Sequence, residues 1–141
     1  MKFSLIAAAS AIAFAATSHA AELNLFTKEN GKGRCNGLSI KHNSCYDVSD
    51  FGKVKSAGFI SKSQGTTLIF YESKGCSGKY RKILRKNPVG SYEHVPKIKY
   101  VSGNIKSVWM MDTDAGEGNG RSSAYWPSTK ATLGACRNYS P

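Results

Sequence analysis

An internal repeat constrains the fold of this chain more than any other feature. Phe26 is followed seven positions later by Gly33, and Tyr71 is followed at the same spacing by Gly78. Each aromatic–glycine pair encloses a polar stretch with a lysine and a glutamate, and the second copy starts 45 positions after the first. A repeated segment of this kind predicts a molecule built from two similar units.

A serine completes each copy of the repeat. Ser56 ends the tripeptide Val-Lys-Ser, Ser107 ends the tripeptide Ile-Lys-Ser, and an apolar run follows each serine. The aromatic–glycine spacing suits a hairpin folded back over its own sheet, because the glycine can adopt a backbone conformation that a side chain would oppose. We expect each serine to hydrogen-bond its hairpin and pin it. One unit alone leaves an apolar face open, so we expect two units to close one sandwich.

Strand signals dominate the mature chain, and no window keeps a helical period over three turns. Short runs rich in β-branched, aromatic and aliphatic residues predict strands at 23–26, 58–60, 66–71, 79–84 and 107–111. At most one short helical turn is expected, near 46–51 or 92–95. The sequence therefore predicts an all-β protein.

A longer stretch around the second copy has the pattern of a known motif. It runs over 68–80, continues through 90–92 and ends at 104–109, and a weaker copy covers 24–60. In these residues the chain resembles the βγ-crystallin family. The resemblance implies a sandwich of two Greek-key motifs, which we expect to be disulfide-stabilised. The chain departs from the family pattern at the second aromatic position of the motif, which is Gly31 in the first copy and Cys76 in the second. A cysteine there can replace ring packing by a disulfide.

The first twenty residues have the pattern of a secretory signal peptide. Lys2 supplies a positive charge, 3–16 is an uncharged alanine-rich run, and small residues precede Ala21. No stretch approaches the roughly 20 apolar residues of a membrane span, so we expect a secreted, extracellular protein without one. The remaining chain is expected to be a single domain. Its parts are motif one at about 23–60, motif two at about 66–111 and a C-terminal tail at 112–141, all within 21–141.

Four cysteines lie in the mature part of the chain: Cys35, Cys45, Cys76 and Cys136. An even count in a small secreted chain predicts two disulfides. Four cysteines allow three pairings, and the sequence alone does not select one. We favour Cys35–Cys45, which closes a short polar loop, and Cys76–Cys136, which ties the tail to the body. Zinc is the rival interpretation, disfavoured because the chain has no C-x-x-C pair and no nearby histidine pair.

The sequence gives little support for a metal site or a catalytic site. The windows that correspond to the calcium-binding stretch of many family members, 51–56 and 102–107, do not open with Asn or Asp, and a lysine precedes each final serine. The acidic run 112–120 lacks the bidentate glutamate of an EF-hand loop, so we expect a flexible glycine-rich loop. His42 and His94 have no ligand or nucleophile motif around them. We expect no metal, no cofactor and no catalytic residue.

Positive charge is the strongest chemical feature, with 20 lysines and arginines against 9 acidic residues and a formal net charge of +11. Five cations form a basic ribbon over 79–86: Lys79, Arg81, Lys82, Arg85 and Lys86. In a strand they fall on both faces, so at least one face is solvated. One interpretation is an edge strand that its lysines protect against aggregation. The other is a binding site for an anionic cell-surface or wall component, or for a host protein.

The C-terminal tail holds an aromatic pair beside a proline, Tyr125 and Trp126. These two residues can form an exposed recognition patch, or they can plug one end of the sandwich. Asn138 begins a glycosylation sequon, and its place next to the terminus makes its use doubtful.

Together these features favour a secreted, non-enzymatic protein that acts on host or competitor cells through a basic surface, like a toxin or effector. The resemblance adds that secreted βγ-crystallin-like proteins include microbial killer toxins. The alternatives are an extracellular carbohydrate- or wall-binding module and a protease inhibitor, since small disulfide-bonded β proteins present rigid loops. An enzyme needs an acid–base pair that the sequence does not display. Nucleic acid fits the charge but not the secretory route, so we expect no such partner, and we expect a monomer.

Overall fold

Strands make up nearly all the regular structure of the residues that are described. The structure is a computed structural model that describes residues 20–99, 101, 104–112 and 116–136. The strands are β1 Ala20–Phe26, β2 Cys35–Lys41, β3 Ser44–Asp47, β4 Ser56–Ile60, β5 Thr67–Tyr71, β6 Gly78–Leu84, β7 Tyr92–Val95, β8 Ser107–Met111, β9 Gly118–Ser122 and β10 Ser128–Lys130. One short 3₁₀ helix covers Ser49–Phe51. The predicted all-β class is confirmed.

The five predicted strands are all present, as β1, β4, β5, β6 and β8. The helical turn expected near 46–51 is the 3₁₀ helix, whereas the alternative position at 92–95 is wrong because it forms β7. This segment is extended because it pairs with β4, where His94 stands opposite Gly58 and Glu93 opposite Phe59. Pairing with a neighbouring strand decides the conformation where the local signal is weak.

The order of the strands shows an exchange between two units, β1–β4 and β5–β8. Sheet one has the order β2-β1-β4-β7, and sheet two has the order β10-β3-β8-β5-β6-β9. In sheet one, β7 of the second unit lies beside β4 and adds to the three strands of the first unit. In sheet two, β3 of the first unit lies beside β8 and adds to the three strands of the second unit. Each sheet is therefore completed by the other unit, and the two units form one sandwich.

The main core lies between the two sheets and follows the alternation of the strands. Leu68 and Phe70 of β5 point into it together with Leu23 of β1, and none of the three has measurable exposure. The intervening residues of β5 point to the outer face of sheet two, where a second, smaller cluster forms. That cluster comprises Cys45, Ile69, Tyr71 and Cys76, with Tyr80, Trp109 and Met111 partly buried against it.

Two disulfides join segments that are distant in the sequence, and the pairing that we favoured is wrong. Cys45 is bonded to Cys76 and Cys35 to Cys136, with Cα–Cα distances of 5.9 and 5.8 Å. Cys35 and Cys45 are not bonded to each other, because β2 lies in sheet one whereas β3 crosses into sheet two, beside β8. All four cysteines are nevertheless in disulfides, as predicted.

The described part of the tail adds two strands to sheet two. β9 pairs antiparallel with β6, and β10 pairs parallel with β3. The loop expected over 112–120 is therefore wrong for 118–120, which lie in β9. The same pairing makes β6 an interior strand, so the basic ribbon is not an exposed edge. Beyond β10, Gly134 exchanges backbone hydrogen bonds of 2.8 and 2.9 Å with Gly37, close to the Cys35–Cys136 bridge.

Some predictions fall outside the described residues. These are residues 1–19 of the signal peptide predicted over 1–20, the opening residues 102–103 of the second calcium window, and the sequon at Asn138. Ala20, the last residue of the predicted signal peptide, is described and begins β1. Within the ranges that the structure describes, no helix has the length and apolar character needed to cross a membrane.

Candidate functional site

The first folded hairpin, residues 26–33, is held by the hydroxyl of Ser56. The Gly31 amide donates to this hydroxyl at 2.9 Å, and the hydroxyl donates to the Lys28 carbonyl at 2.6 Å. The serine has no measurable exposure. Both bonds are therefore made by a buried hydroxyl, and the predicted pinning of this hairpin by its serine is confirmed.

The second folded hairpin, residues 71–78, is held in the same way by Ser107. The Cys76 amide donates to the Ser107 hydroxyl at 2.9 Å, and this hydroxyl donates to the Ser73 carbonyl at 2.5 Å. Cys76 occupies the position that Gly31 has in the first hairpin. As expected for this departure from the family pattern, the cysteine fills the position with a buried disulfide, to Cys45.

Glycine ends each hairpin because the backbone turns through the left-handed region there. Gly33 has φ of 81° and Gly78 has φ of 79°. A Cβ at Gly78 would also come within 2.7 Å of the Ser73 hydroxyl, and one at Gly33 would overlap the Thr27 hydroxyl. The predicted role of the two glycines is confirmed.

Glu117 neutralises part of the basic ribbon. Its carboxylate lies 3.5 Å from the guanidinium of Arg81 and 3.2 Å from the ammonium of Lys86. This glutamate immediately precedes β9, and the pairing of Lys82 with Gly118 fixes it beside β6. The sequence placed Glu117 in a loop, so its contact with the ribbon was not predicted.

The other cations of the ribbon have different surroundings. Arg85 donates to the carbonyl of Ser61 at 3.1 Å, and the Lys82 ammonium lies 5.7 Å from the centre of the Tyr80 ring. Lys79 is exposed. The five predicted anion-binding residues thus lie close together in the chain, but only some of their charges are exposed and without an acidic partner among the described residues.

A second group of cations lies around the first folded hairpin, where three loops meet. The Lys55 amide donates to the Phe26 carbonyl, which joins the loop before β4 to the hairpin. The Ile98 amide donates to the Lys55 carbonyl and the Asn30 amide to the Pro96 carbonyl, which joins the loop after β7. These bonds are 2.8 to 2.9 Å long. Six exposed cations on these loops form what we call the first-hairpin patch: Lys28, Lys32, Arg34, Lys53, Lys55 and Lys99.

The first-hairpin patch has little compensating negative charge. The one acidic residue of the hairpin, Glu29, pairs with Lys97 at 2.6 Å, and nearby Asp50 pairs with Lys130 at 2.8 Å. Arg34 lies over the Phe51 ring, 5.0 Å from its centre, and donates to the Phe51 carbonyl. Among the described residues, no carboxylate forms an ion pair with any of the six patch cations.

The tail aromatics lie on the outer face of sheet two, beside the second folded hairpin. The Trp126 amide donates to the Gly75 carbonyl at 2.8 Å, and the Tyr125 ring rests against Gly75. Trp126 meets Trp109 edge to face. The two tail rings are exposed by 70% and 47%, so they do not plug the sandwich, and that alternative is wrong.

Two titratable groups near the second hairpin are perturbed by their surroundings. Burial, reinforced by the proximity of Tyr80, raises the pKa of Tyr71 to about 12. Burial also opposes ionisation of Asp47, but hydrogen bonds from the Ser49 hydroxyl and amide and the ammonium of Lys74 at 3.4 Å outweigh it, so the pKa of Asp47 is lowered. Both groups are tied to the packing of the hairpin.

A cavity of about 340 Å³ lies where the tail passes the edge of sheet one. Among its described lining residues, Glu22 is the one carboxylate and Lys130 the one ammonium. The lining thus does not offer the two carboxylates that glycoside cleavage uses. The described residues contain no group of three or more His, Cys, Asp or Glu side chains that could hold a metal ion. His42 contacts the Ser61 hydroxyl at 3.1 Å, and His94 is exposed on β7.

The fold defines the class of protein as a disulfide-stabilised all-β sandwich, and comparison with known proteins adds one partial similarity. No protein-family model matches the chain, and no solved structure matches it. A protein of Dictyostelium discoideum described as probable polyketide synthase 42 is 31% identical over 78 residues. Those residues are 55% of this chain and 3% of the polyketide synthase. The chain spans so little of this relative that the similarity shows no family.

Proposed function

We propose that this protein is a secreted, non-enzymatic, toxin-like or effector-like protein that attaches to an anionic polymer of a cell surface or wall. The observation that supports this most directly is the difference in charge between two hairpins of the same fold. Lys28 and Lys32 of the first hairpin correspond to Ser73 and Ser77 of the second. Because the second hairpin folds with serines at these positions, the fold itself does not require the lysines.

The same comparison extends to the loop before the pinning serine. Lys53 of the first unit corresponds to Asn104 of the second, three positions before Ser56 and Ser107 respectively. A cluster of exposed cations with few opposite charges raises the local concentration of an anionic ligand and accelerates its association. The first-hairpin patch meets this description better than the basic ribbon, in which Glu117 pairs with two of the five cations.

An extended polyanion suits the patch better than a lipid bilayer does. Proteins that bind lipid surfaces by insertion place exposed apolar side chains beside their cations. The exposed large apolar residues of the described chain are Val89, Tyr125 and Trp126, and none of them lies in the three loops of the patch. Attraction at the patch is therefore electrostatic and should weaken as salt is added.

The test compares two triple variants that remove the same amount of charge. K28S/K32S/K53N gives the first unit the residues of the second, and K79S/K82S/K86S removes three lysines from the basic ribbon. Binding to polygalacturonate, heparin and phosphatidylserine vesicles is measured at low and high salt. Each lysine near an anionic surface contributes about 1 kcal/mol, so the patch variant should bind the two polymers about a hundredfold more weakly, and the ribbon variant within a few fold of the parent.

Several outcomes would count against the proposal. An equal loss in both variants would mean that net charge, rather than the patch, controls binding. Preferential binding to vesicles would mean that the ligand is a lipid surface and not a polymer.

The cellular part of the proposal needs a separate experiment. Purified protein is applied to microbial and plant cells, and growth arrest, cell death or a changed host response should disappear in the patch variant. If parent and variant act equally, or neither acts, that part is wrong.

A further inference from the structure

The tail holds two aromatic rings rigidly on the outer face of sheet two. Trp126 is fixed by its backbone bond to Gly75 and by its contact with Trp109, whose ring centre is 5.0 Å away at an interplanar angle of 89°. Tyr125 is fixed against Gly75, where any Cβ would overlap the ring. Rings that are already ordered lose little conformational entropy when a ligand stacks on them.

These rings stay open to solvent although large aromatic side chains gain free energy on burial. Tyr125 is 70% exposed and Trp126 is 47% exposed. Among the described residues, one other large apolar side chain is exposed, Val89 at 41%. Two adjacent and exposed rings indicate a surface that the described residues leave open to a ligand.

A groove of about 240 Å³ lies beside the two tryptophans. Its polar lining comes from Asn43, Ser44 and Thr129, all of them uncharged. The side-chain oxygen of Asn43 accepts from the Asp112 amide at 3.5 Å, which leaves the side-chain nitrogen as a donor. The volume lies below the roughly 300 Å³ of pockets that enclose a small molecule. The groove therefore fits one ring of a longer chain rather than an enclosed ligand.

The chemistry of the lining restricts the class of ligand. An ionic group would lose its hydration without meeting a counter-charge in the groove. A wholly apolar segment would bury the amide and hydroxyl groups without hydrogen-bond partners. A sugar ring satisfies both conditions, because it presents hydroxyls at its edge and an apolar C–H face that can lie on an indole.

We infer that this face binds a neutral polysaccharide, with one sugar ring in the groove against Trp126 and a neighbouring ring on Tyr125. The site shares no residue with the first-hairpin patch and binds a ligand of different charge, so it does not depend on the proposed function. A protein with both sites would hold a composite wall through two chemically distinct components.

The position of the tryptophans allows a direct measurement. The chain has two tryptophans, Trp109 and Trp126, and both belong to this site. Intrinsic fluorescence therefore reports on the groove without a label. Titration uses chitohexaose, cellohexaose and laminarihexaose in 0.5 M NaCl, where screening suppresses the first-hairpin patch. Sedimentation with insoluble chitin, cellulose and β-1,3-glucan provides an independent measure of binding.

At least one of the three glycans should produce a saturable change in fluorescence and retain the protein at high salt. Trp126→Ala should weaken retention about tenfold or more, as expected for an aromatic anchor. Thr129→Val, which keeps the shape of the side chain and removes its hydroxyl, should weaken binding a few fold. Val89→Ala is the matched control for an exposed apolar residue and should bind like the parent.

The inference is overturned if none of the three glycans binds at high salt, or if retention ignores both Trp126→Ala and Thr129→Val. The K28S/K32S/K53N variant separates this site from the proposed function. It should keep its affinity for the glycan while losing affinity for polyanions. Loss of both in that variant would mean that the groove makes no independent contribution.

Discussion

The Cys76 amide donates a buried hydrogen bond of 2.9 Å to the Ser107 hydroxyl, although the two residues are 31 positions apart in the sequence. Gly31 and Ser56 form the equivalent bond in the first unit, also at 2.9 Å. In each unit one hydroxyl satisfies a donor and an acceptor of the folded hairpin. Buried backbone groups are costly when they lack a partner, so the two serines should be sensitive points of the structure.

Ser107→Ala should therefore lower the free energy of unfolding by about 1–3 kcal/mol, because it leaves the Cys76 amide buried without an acceptor. Ser56→Ala should have an effect of similar size. Ser77→Ala is the control, because that serine donates to the Lys74 carbonyl at an exposed place in the same hairpin. Urea unfolding measures all three. Equal midpoints for Ser107→Ala and Ser77→Ala would contradict the role assigned to the buried serine.

Gly33→Ala and Gly78→Ala should each cost about 1–2 kcal/mol, because an alanine at positive φ brings its Cβ too close to the backbone. Gly118→Ala is the matched control in a strand, since no atom lies within 4 Å of the position of its added Cβ and its φ is not positive. Thermal unfolding distinguishes them. If all three substitutions have the same effect, the left-handed turns are not required.

Proteolysis without reduction, followed by mass spectrometry, should recover Cys35 linked to Cys136 and Cys45 linked to Cys76. The first bridge spans 101 positions, and closing a loop of about a hundred residues stabilises a fold by about 4–5 kcal/mol in the chain-entropy account. The C35S/C136S double variant should lose stability of this order. Recovery of Cys35 linked to Cys45 would contradict the strand exchange, because β2 and β3 would have to be neighbours.

Stability at high pH should depend on Tyr71. Its pKa in the folded state is about 12 against an ordinary value of 10.0, so the folded protein holds this proton more tightly than the unfolded chain. The corresponding stabilisation is complete below pH 10 and is lost as the pH rises towards 12, by about 2 kcal/mol. Tyr71→Phe should remove this part of the pH dependence, and the exposed Tyr125→Phe should not. Identical pH profiles for all three proteins would count against the burial of the Tyr71 hydroxyl.

The repeat was readable from the sequence because the same residue types recur in the same order in both copies. An aromatic residue, a glycine seven positions later and a distant serine each have one structural role, and both copies fold accordingly. Gly33 and Gly78 have nearly the same φ, and the serines make matching bonds. The pattern therefore predicted two folded hairpins in one sandwich.

The disulfide pairing was not readable, because it depends on which strands become neighbours. Sequence proximity favoured Cys35–Cys45, but the exchange of β3 into sheet two separates them and brings Cys45 to Cys76. β9 was missed because its sequence, Gly-Asn-Gly-Arg-Ser, has low strand propensity. One of its glycines serves the packing instead, since a Cβ at Gly120 would come within 2.6 Å of the Tyr80 hydroxyl.

The distribution of surface charge was only partly predictable, because it also depends on which strands become neighbours. The basic ribbon is contiguous in sequence, so the sequence predicts it as a binding site. Glu117, however, reaches two of its cations through the pairing of β9 with β6. The first-hairpin patch is assembled from three separate loops and has no contiguous signal. The alignment of the two repeats does distinguish these lysines, because Lys28 and Lys32 correspond to serines in the other copy.

A ¹⁵N NMR titration with an oligogalacturonate tests whether the first-hairpin patch binds a polyanion, because it locates the contact on the folded protein. The largest shifts of backbone amides should fall in the loops that contain Lys28, Lys53 and Lys99, with small shifts over 79–86. The shifts should diminish together as salt is added. Shifts centred on 79–86, or spread evenly over all exposed lysines, would contradict binding at the patch.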